Sequence, residues 1–415
     1  MSIFLVSHSS SVSGCLCVYN KVIRSALSME RPIVWVESVT ICLSGTASAQ
    51  PSFHTFMLLS AWPICARNKL VRHCWQLTFT TGRAATEASK LQALHQSVKN
   101  CETTDPAAAE LFFIPIYTGQ YYHHLLTVSG LSHYECLQQI TALVNEGLSI
   151  VKRDWRFWNQ TNGLDHFIGA PLDLGRCYLL GGLSQQDMGD LFTVQICGDH
   201  FHRDFQTNSW YCYRPGRDII IPSAFDTRLT VSDVVSPDLH QRNISILYRF
   251  VEGGRGDYGI LRTALLDDAK ADPIPGTLQG WATIEQTQAD MMNSVFCVCP
   301  PGITQATLRM VRSIVFGCIP VTFFRGYDQP YEHFLHMDYS KFSVNINPDE
   351  FHLVRLVITR LLANKEKLAG LQSELKKVQT VFVNDRDTSG GVSQALLESL
   401  LVHPSRGISL RQVGA

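Results

Sequence analysis

The chain has 415 residues, too many for one ordinary core and enough for two, and its 45% hydrophobic and 17% charged content is that of a globular protein rather than a disordered or coiled-coil one. The net charge of −1 provides no global basic field to gather nucleic acid, so any bound anion must be held by a local site.

Residues 1–86 show no sustained hydrophobic period and are read as a leader of unknown structure. The apolar run 111–117 (LFFIPIY) follows a polar Thr-Thr-Asp-Pro turn and predicts a buried strand. Ser132 and Glu135 have capping-box spacing, and Leu137, Ile140, Val144, Leu148 and Val151 then share one helical face. Further buried strands are expected at 192–197 and 219–222. A second unit opens after 237–242, with a strand at 244–251, a glycine-rich turn at 253–259 and a helix over 258–267. A strand at 295–298, a Pro-Pro-Gly loop, a helix over 307–316 stopped by Gly317, and a strand at 319–324 give the rhythm of parallel βαβ units. Leu368, Leu371, Leu375 and Val378 form an apolar stripe that is expected to pack on this core. The expected fold class is α/β with parallel sheets in two units: 87–240 and 241–382, with 383–415 as a C-terminal tail.

The 13 cysteines include no CxxC pair, which argues against zinc ribbons and thioredoxin-like motifs. Cys297 and Cys299 are read as small buried side chains pointing to opposite faces of a strand. Two N-glycosylation sequons begin at Asn159 and Asn243, which suits a secretory lumen. The apolar stretch 56–66 is too short to span a bilayer, and residues 1–12 lack a basic start, so no membrane helix or signal peptide is read.

Four places could carry chemistry. Gly302 lies in a loop between a strand and a helix, where free amides suit a diphosphate; an ordinary tight turn is the plainer reading. Arg309 and Arg312, three apart on the next helix, have forks that match phosphate oxygens, although such a pair is usually a solvated face. The glycines of 253–259 could form an anion nest, with Arg262 opening the following helix. In the first unit Asp165 and His166, beside the aromatic residues Trp158 and Phe167, could take a proton from a sugar hydroxyl; the alternative is a structural turn.

Taken together, these blocks resemble the exostosin-like glycosyltransferases. The resemblance is carried by 104–117 (TDPAAAELFFIPIY), 162–167 (NGLDHF), 218–222 (DIIIP), the turn from Gly253 to Arg262, 296–302 (FCVCPPG), Arg309 and 317–321 (GCIPV), in the family's order. It implies glycosyltransferase family 47 and a GT-B-like fold of two facing Rossmann-like domains. It implies inverting transfer of a sugar from a nucleotide sugar, expected to be a UDP-sugar, to a glycan acceptor. The donor would sit in the second domain at Arg262, Gly302, Arg309 and Arg312, the acceptor in the first, with no bound metal and no nucleic-acid partner. Golgi residence is implied, usually through an N-terminal membrane anchor that is not evident here. The sequence departs from the family in two places: Arg312 stands where it has a Glu, and Leu172 where a His precedes Asp173. The first of these, Arg312 in place of the Glu, favours a second expectation, a weak or inactive member that binds glycan or supports a partner glycosyltransferase.

Overall fold

The computed structural model describes residues 62–64, 103, 106–180, 188–200, 212–223, 237–253, 256–302, 304–383 and 391–406. They form two five-stranded sheets. In the first, β1 (Trp62–Ile64), β2 (Leu111–Ile114), β3 (His166–Ala170), β4 (Phe192–Gln195) and β5 (Ile219–Ile220) lie in sequence order, parallel except for β1. Part of the segment read as leader therefore enters the sheet: Trp62 to Ile64 run antiparallel to Phe113 to Leu111.

A strand covered on both faces must be apolar at every position, which is why 111–114 reads as an unbroken run. Phe113, Phe167, Phe192 and Val194 face one side, while Ile114, Ile168 and Ala170 face the other. Helices α1 (Thr118–Thr127) and α2 (His133–Asp154) follow β2. The expected capping box starts α2: Ser132 Oγ accepts from the Glu135 amide and the Glu135 carboxylate accepts from the Ser132 amide. Ile140, Val144, Leu148 and Val151 bury one side of α2 against Ile114 and Ile168; Leu137 sits at the edge of that face. Helices α3 (Arg156–Thr161) and α4 (Arg176–Leu180) bracket β3.

The second sheet has the order β10-β9-β8-β6-β7 and is parallel throughout. Its members are β6 (Ile244–Tyr248), β7 (Thr277–Gln279), β8 (Ser294–Cys299), β9 (Ile319–Thr322) and β10 (Val344–Asn345). Helices α5 (Gly256–Ala271), α6 (Ile284–Met292) and α7 (Leu308–Val315) connect these strands in turn. Gly317 has φ 70°, the left-handed stop expected after α7. Helices α8 (Val354–Ala363) and α9 (Lys365–Val378) follow, and α9 buries Leu368, Leu371 and Leu375 in this core.

Among the described residues two disulfides are formed, Cys177–Cys212 in the first unit and Cys297–Cys318 between β8 and the start of β9. Cys297 is therefore not a simple filler. It also shares a face with Cys299, whose Sγ lies 3.3 Å from Ser313 Oγ on α7. Residues two apart on a strand point the same way, so the opposite-face reading is corrected.

The carboxyl ends of the two sheets meet. Asp199 bridges Tyr327, the His200 amide donates to the Gly326 carbonyl at 2.9 Å, and the Asp328 amide donates to Gly198 at 2.9 Å. A Cβ on Gly198 would stand 1.9 Å from the Asp328 carbonyl, so this approach requires glycine. The C-terminal helix α10 (Gly391–Leu401) returns to the first unit, burying Ala395, Leu396 and Leu400 beside Phe167 and Phe192. Just beyond it His403 stacks on Phe192 and Phe334, with Nε2–H donating to the Arg217 carbonyl at 2.7 Å and Nδ1 accepting from the Ser405 amide at 3.2 Å.

Burial pulls the His403 pKa down from 6.5 to about 4, against the opposing hydrogen bond to Arg217. The unfolded chain therefore binds this proton near pH 6.5 while the folded chain resists it. Stability from this group is complete above pH 6.5 and is lost as pH falls toward about 4. The melting temperature of the wild type should accordingly fall more steeply across that window than that of His403→Gln, as read by circular dichroism; equal slopes would remove His403 as the cause.

Candidate anion site at the switch point of the second sheet

In the order β7-β6-β8, the chain leaves β6 to one side and then crosses to the other. Where strand order reverses in this way, the flanking connections diverge and leave a crevice at the carboxyl ends of the strands, the usual place for a ligand in such sheets. Here that edge is formed by Arg249 and Phe250 after β6, and by Pro300, Pro301 and Gly302 after β8.

The structure places three of the four residues expected on the donor side, Arg262, Gly302 and Arg309, at this edge, and the fourth, Arg312, follows Arg309 on the same helix and acts on it through its charge. Arg262, on the second turn of α5, donates from Nε to the Pro301 carbonyl at 2.8 Å, and its Nη2 lies 3.6 Å from where a Cβ on Gly302 would stand. Arg309, on the first turn of α7, donates from Nε to the Arg249 carbonyl at 2.9 Å and lies over the Phe250 ring at 5.5 Å. Burial lowers the Arg309 pKa to about 10; the charges of Arg262 and Arg312 push the same way, and Cys299 opposes them. Arg309 thus remains a cation at neutral pH, and no carboxylate of the described residues is among the charges acting on it. Three neighbouring guanidiniums in a partly desolvated crevice favour an anion strongly, because both their mutual repulsion and their lost hydration are relieved by a phosphate.

The helix after Gly302 runs Leu308–Val315 with Thr307 as its cap, as expected for 307–316; Thr307 accepts from the Arg309 amide, and a loop stands between Gly302 and the helix start. That loop is tied down by Gln305, which exchanges two hydrogen bonds with Arg325 at 2.8 and 2.9 Å. The glycine-rich turn is shorter than expected: Gly253 is left-handed at φ 75°, but Gly256 and Gly259 already belong to α5.

Arg249 stands at the same edge and is not singled out by the sequence. Its Nε and Nη2 both lie 2.8 Å from Asp290 Oδ2, and its Nη1 donates to the carbonyls of Gly280 and Trp281 at 3.1 and 3.2 Å. The guanidinium is spent on structure, while its own carbonyl holds Arg309. Its single local signal is an Arg directly after a buried strand.

Asp165 and His166 lie elsewhere. They open β3 at its amino end, both fully buried, with Thr161 Oγ1 donating to Asp165 Oδ1 at 2.6 Å and His166 Nδ1 at 2.8 Å from the same oxygen. His166 stacks on the Phe112 ring at 4.7 Å and meets the Trp158 ring edge to face at 5.1 Å. A general base must reach the proton it removes. This pair sits beneath rings at the end of the sheet opposite the crevice, which is the geometry of a buried structural turn. The exposed carboxylate just past the carboxyl end of β3 is Asp173.

The fold is a two-unit α/β protein, and its second sheet carries an arginine-lined candidate anion site at a topological switch point. Residues 56–361 match the exostosin GT47 domain, and the chain belongs to that family. A probable glucuronosyltransferase of Oryza sativa subsp. japonica is 29% identical over 227 residues, covering 53% of this chain and 49% of that protein. A probable beta-1,4-xylosyltransferase of Arabidopsis thaliana is 26% identical over 227 residues, covering 53% and 51%. The chain spans about half the length of the curated relatives it matches. Among solved structures, TarM is similar over 64% of this chain and 58% of its own, at 12% identity and a TM-score of 0.33. The Streptomyces nogalater glycosyltransferase SnogD is similar over 72% and 84%, at 11% and 0.28. At these scores the likenesses carry no argument.

Replacing Arg309 by Ala should weaken binding of a nucleoside diphosphate roughly 10- to 100-fold, the worth of a charge-assisted hydrogen bond. Isothermal titration calorimetry with UDP measures it, and unchanged affinity would remove α7 from the site.

Proposed function

We propose that the chain is an inverting glycosyltransferase that moves a sugar from a UDP-sugar to a glycan acceptor. The observation that carries this reading is the placement of Arg262 beside Gly302, with Arg309 close enough to feel its charge, at the switch point, which suits the diphosphate of a nucleotide-sugar donor. As the sugar is transferred, negative charge accumulates on the leaving diphosphate. Cations fixed beforehand by backbone contacts stabilise it without having to reorganise. Gly302 is not demanded by the protein itself, since a Cβ there would meet Arg262 Nη2 and the Thr304 carbonyl at no closer than ordinary contact distance. Its lack of a side chain is useful to a ligand that must approach the backbone.

The acceptor hydroxyl must lose a proton, and the reading assigns that role to Asp173. It is exposed beyond β3, on the edge of the first sheet that meets the second unit through Gly198 to His200. The names of the family relatives place glucuronic acid and xylose among the sugars to test. A lumenal, Golgi setting is supported by the two disulfides, which persist in oxidising compartments, and by the exposed sequon residues Asn159 and Asn243. No helix among the described residues is long and apolar enough to cross a membrane.

Arg312 favours a second reading. An arginine has no acceptor, so it cannot take a hydrogen bond from a ribose hydroxyl as a glutamate would. On this reading the chain binds a diphosphate or glycan weakly and supports a partner glycosyltransferase.

A transfer assay over a panel of UDP-sugars, combined with calorimetry, separates the two. On the enzymatic reading Asp173→Asn keeps UDP affinity and lowers transfer by roughly 100-fold or more, the usual scale of general-base catalysis. Arg312→Glu keeps UDP bound and raises transfer. Absence of transfer from every donor, with UDP bound, would favour the scaffold.

A further inference from the structure

The arginine cluster recognises phosphate and leaves the nucleoside unread. Gly302 has no side chain, and Arg312 offers donors alone. A base has two flat faces, and the surface that discriminates a nucleotide from bare phosphate is an aromatic plane placed along the same edge of the sheet.

Trp281 meets that description. It is 80% exposed, more than any other large hydrophobic residue among the described ones. Burying such a ring is favourable, so leaving it in water calls for an occupant. It stands two residues beyond β7, whose Gln279 is paired with Tyr248 of β6, while Leu247 of β6 is paired with Cys297 of β8. The three strand exits are therefore level. Trp281 leaves the sheet two strand spacings from the Gly302 loop, about 10 Å away, a span comparable with that from the phosphates to the base of a nucleotide.

The ring is also coupled mechanically to the cations. Arg249 Nη1 holds the Gly280 and Trp281 carbonyls, and the Arg249 carbonyl holds Arg309 Nε. Gly280, at φ 109°, makes the turn that carries Trp281 out of the sheet, a conformation other residues rarely take. Asp290 fixes the guanidinium that spans these points. One side chain thus sets the separation between a phosphate fork and an aromatic plate.

We propose that Trp281 stacks on the base of the nucleoside diphosphate whose phosphates lie at Arg262 and Arg309. This rests on the donor reading above. Because every base has a π face, the contact selects nucleotides over inorganic phosphates rather than one base over another.

The test is calorimetric titration of the full chain with UDP and, separately, with inorganic pyrophosphate, using wild type, Trp281→Ala, Trp281→Phe and Arg309→Ala. Trp281→Ala should weaken UDP about 5- to 100-fold, the effect of removing one stacking aromatic. It should leave pyrophosphate affinity unchanged, and Trp281→Phe should restore most of the UDP affinity. Wild-type UDP affinity in Trp281→Ala overturns the proposal, as does an equal loss for pyrophosphate, which would show a general disturbance of the edge. Failure of the underlying donor reading has a different signature: wild type binds neither ligand, or Arg309→Ala changes neither affinity, and either result overturns both readings.

Discussion

The second unit depends on the ion pair between Arg249 and Asp290. Both side chains are nearly buried, and Gln286 donates to the second Asp290 oxygen at 2.8 Å, so the carboxylate is saturated inside the fold. Breaking such a pair leaves a charge without a partner away from water, at a cost of about 3–5 kcal/mol. The pair earns its place through what it positions. It joins the exit of β6 to α6 and to the turn after β7, and it leaves the Arg249 carbonyl free to accept from Arg309.

Around this pair, each unit supplies a different kind of surface. The second has a strand reversal and therefore a crevice, with cations held by backbone oxygens so that their charge stays available. The first sheet, whose described strands run in simple order, has no such reversal. Its contribution is an edge that meets the second unit through Gly198 to His200 and carries Asp173. Return of α10 and His403 to the first unit joins the two across the chain's length. In the first core, burial pushes the Asp218 carboxyl up, but the Arg214 hydrogen bonds and charge, the Arg176 charge and the Thr193 amide outweigh it and hold the pKa below the usual range.

Much of this was legible in the sequence because it is local. The β8–α7–β9 unit announces itself through an apolar run, the Leu308, Val311 and Val315 periodicity and Gly317. The capping box of α2 needs only Ser132 and Glu135. That Arg262 and Arg309 flank the Gly302 loop was legible because all three stand in recognisable blocks. What was not legible depends on topology. Whether Asp165 and His166 open or close a strand, and hence which end of the sheet they occupy, is fixed by the pairing of β3 with its neighbours. The same holds for Trp281, which in sequence is one aromatic residue after a short strand. Cysteine spacing does not reveal pairing, so Cys297–Cys318 emerged only when β8 and β9 lay side by side. Trp62–Ile64 is too short to show a period and is a strand because β2 offers it an edge.

The account stands or falls on the switch-point crevice as the nucleotide site. The most direct measurement is a crystal structure of the protein soaked with UDP. The account predicts the diphosphate between Gly302, Arg262 and Arg309, at the carboxyl ends of β6 and β8. A nucleotide bound at the first sheet, with those arginines unchanged and uncontacted, would contradict it.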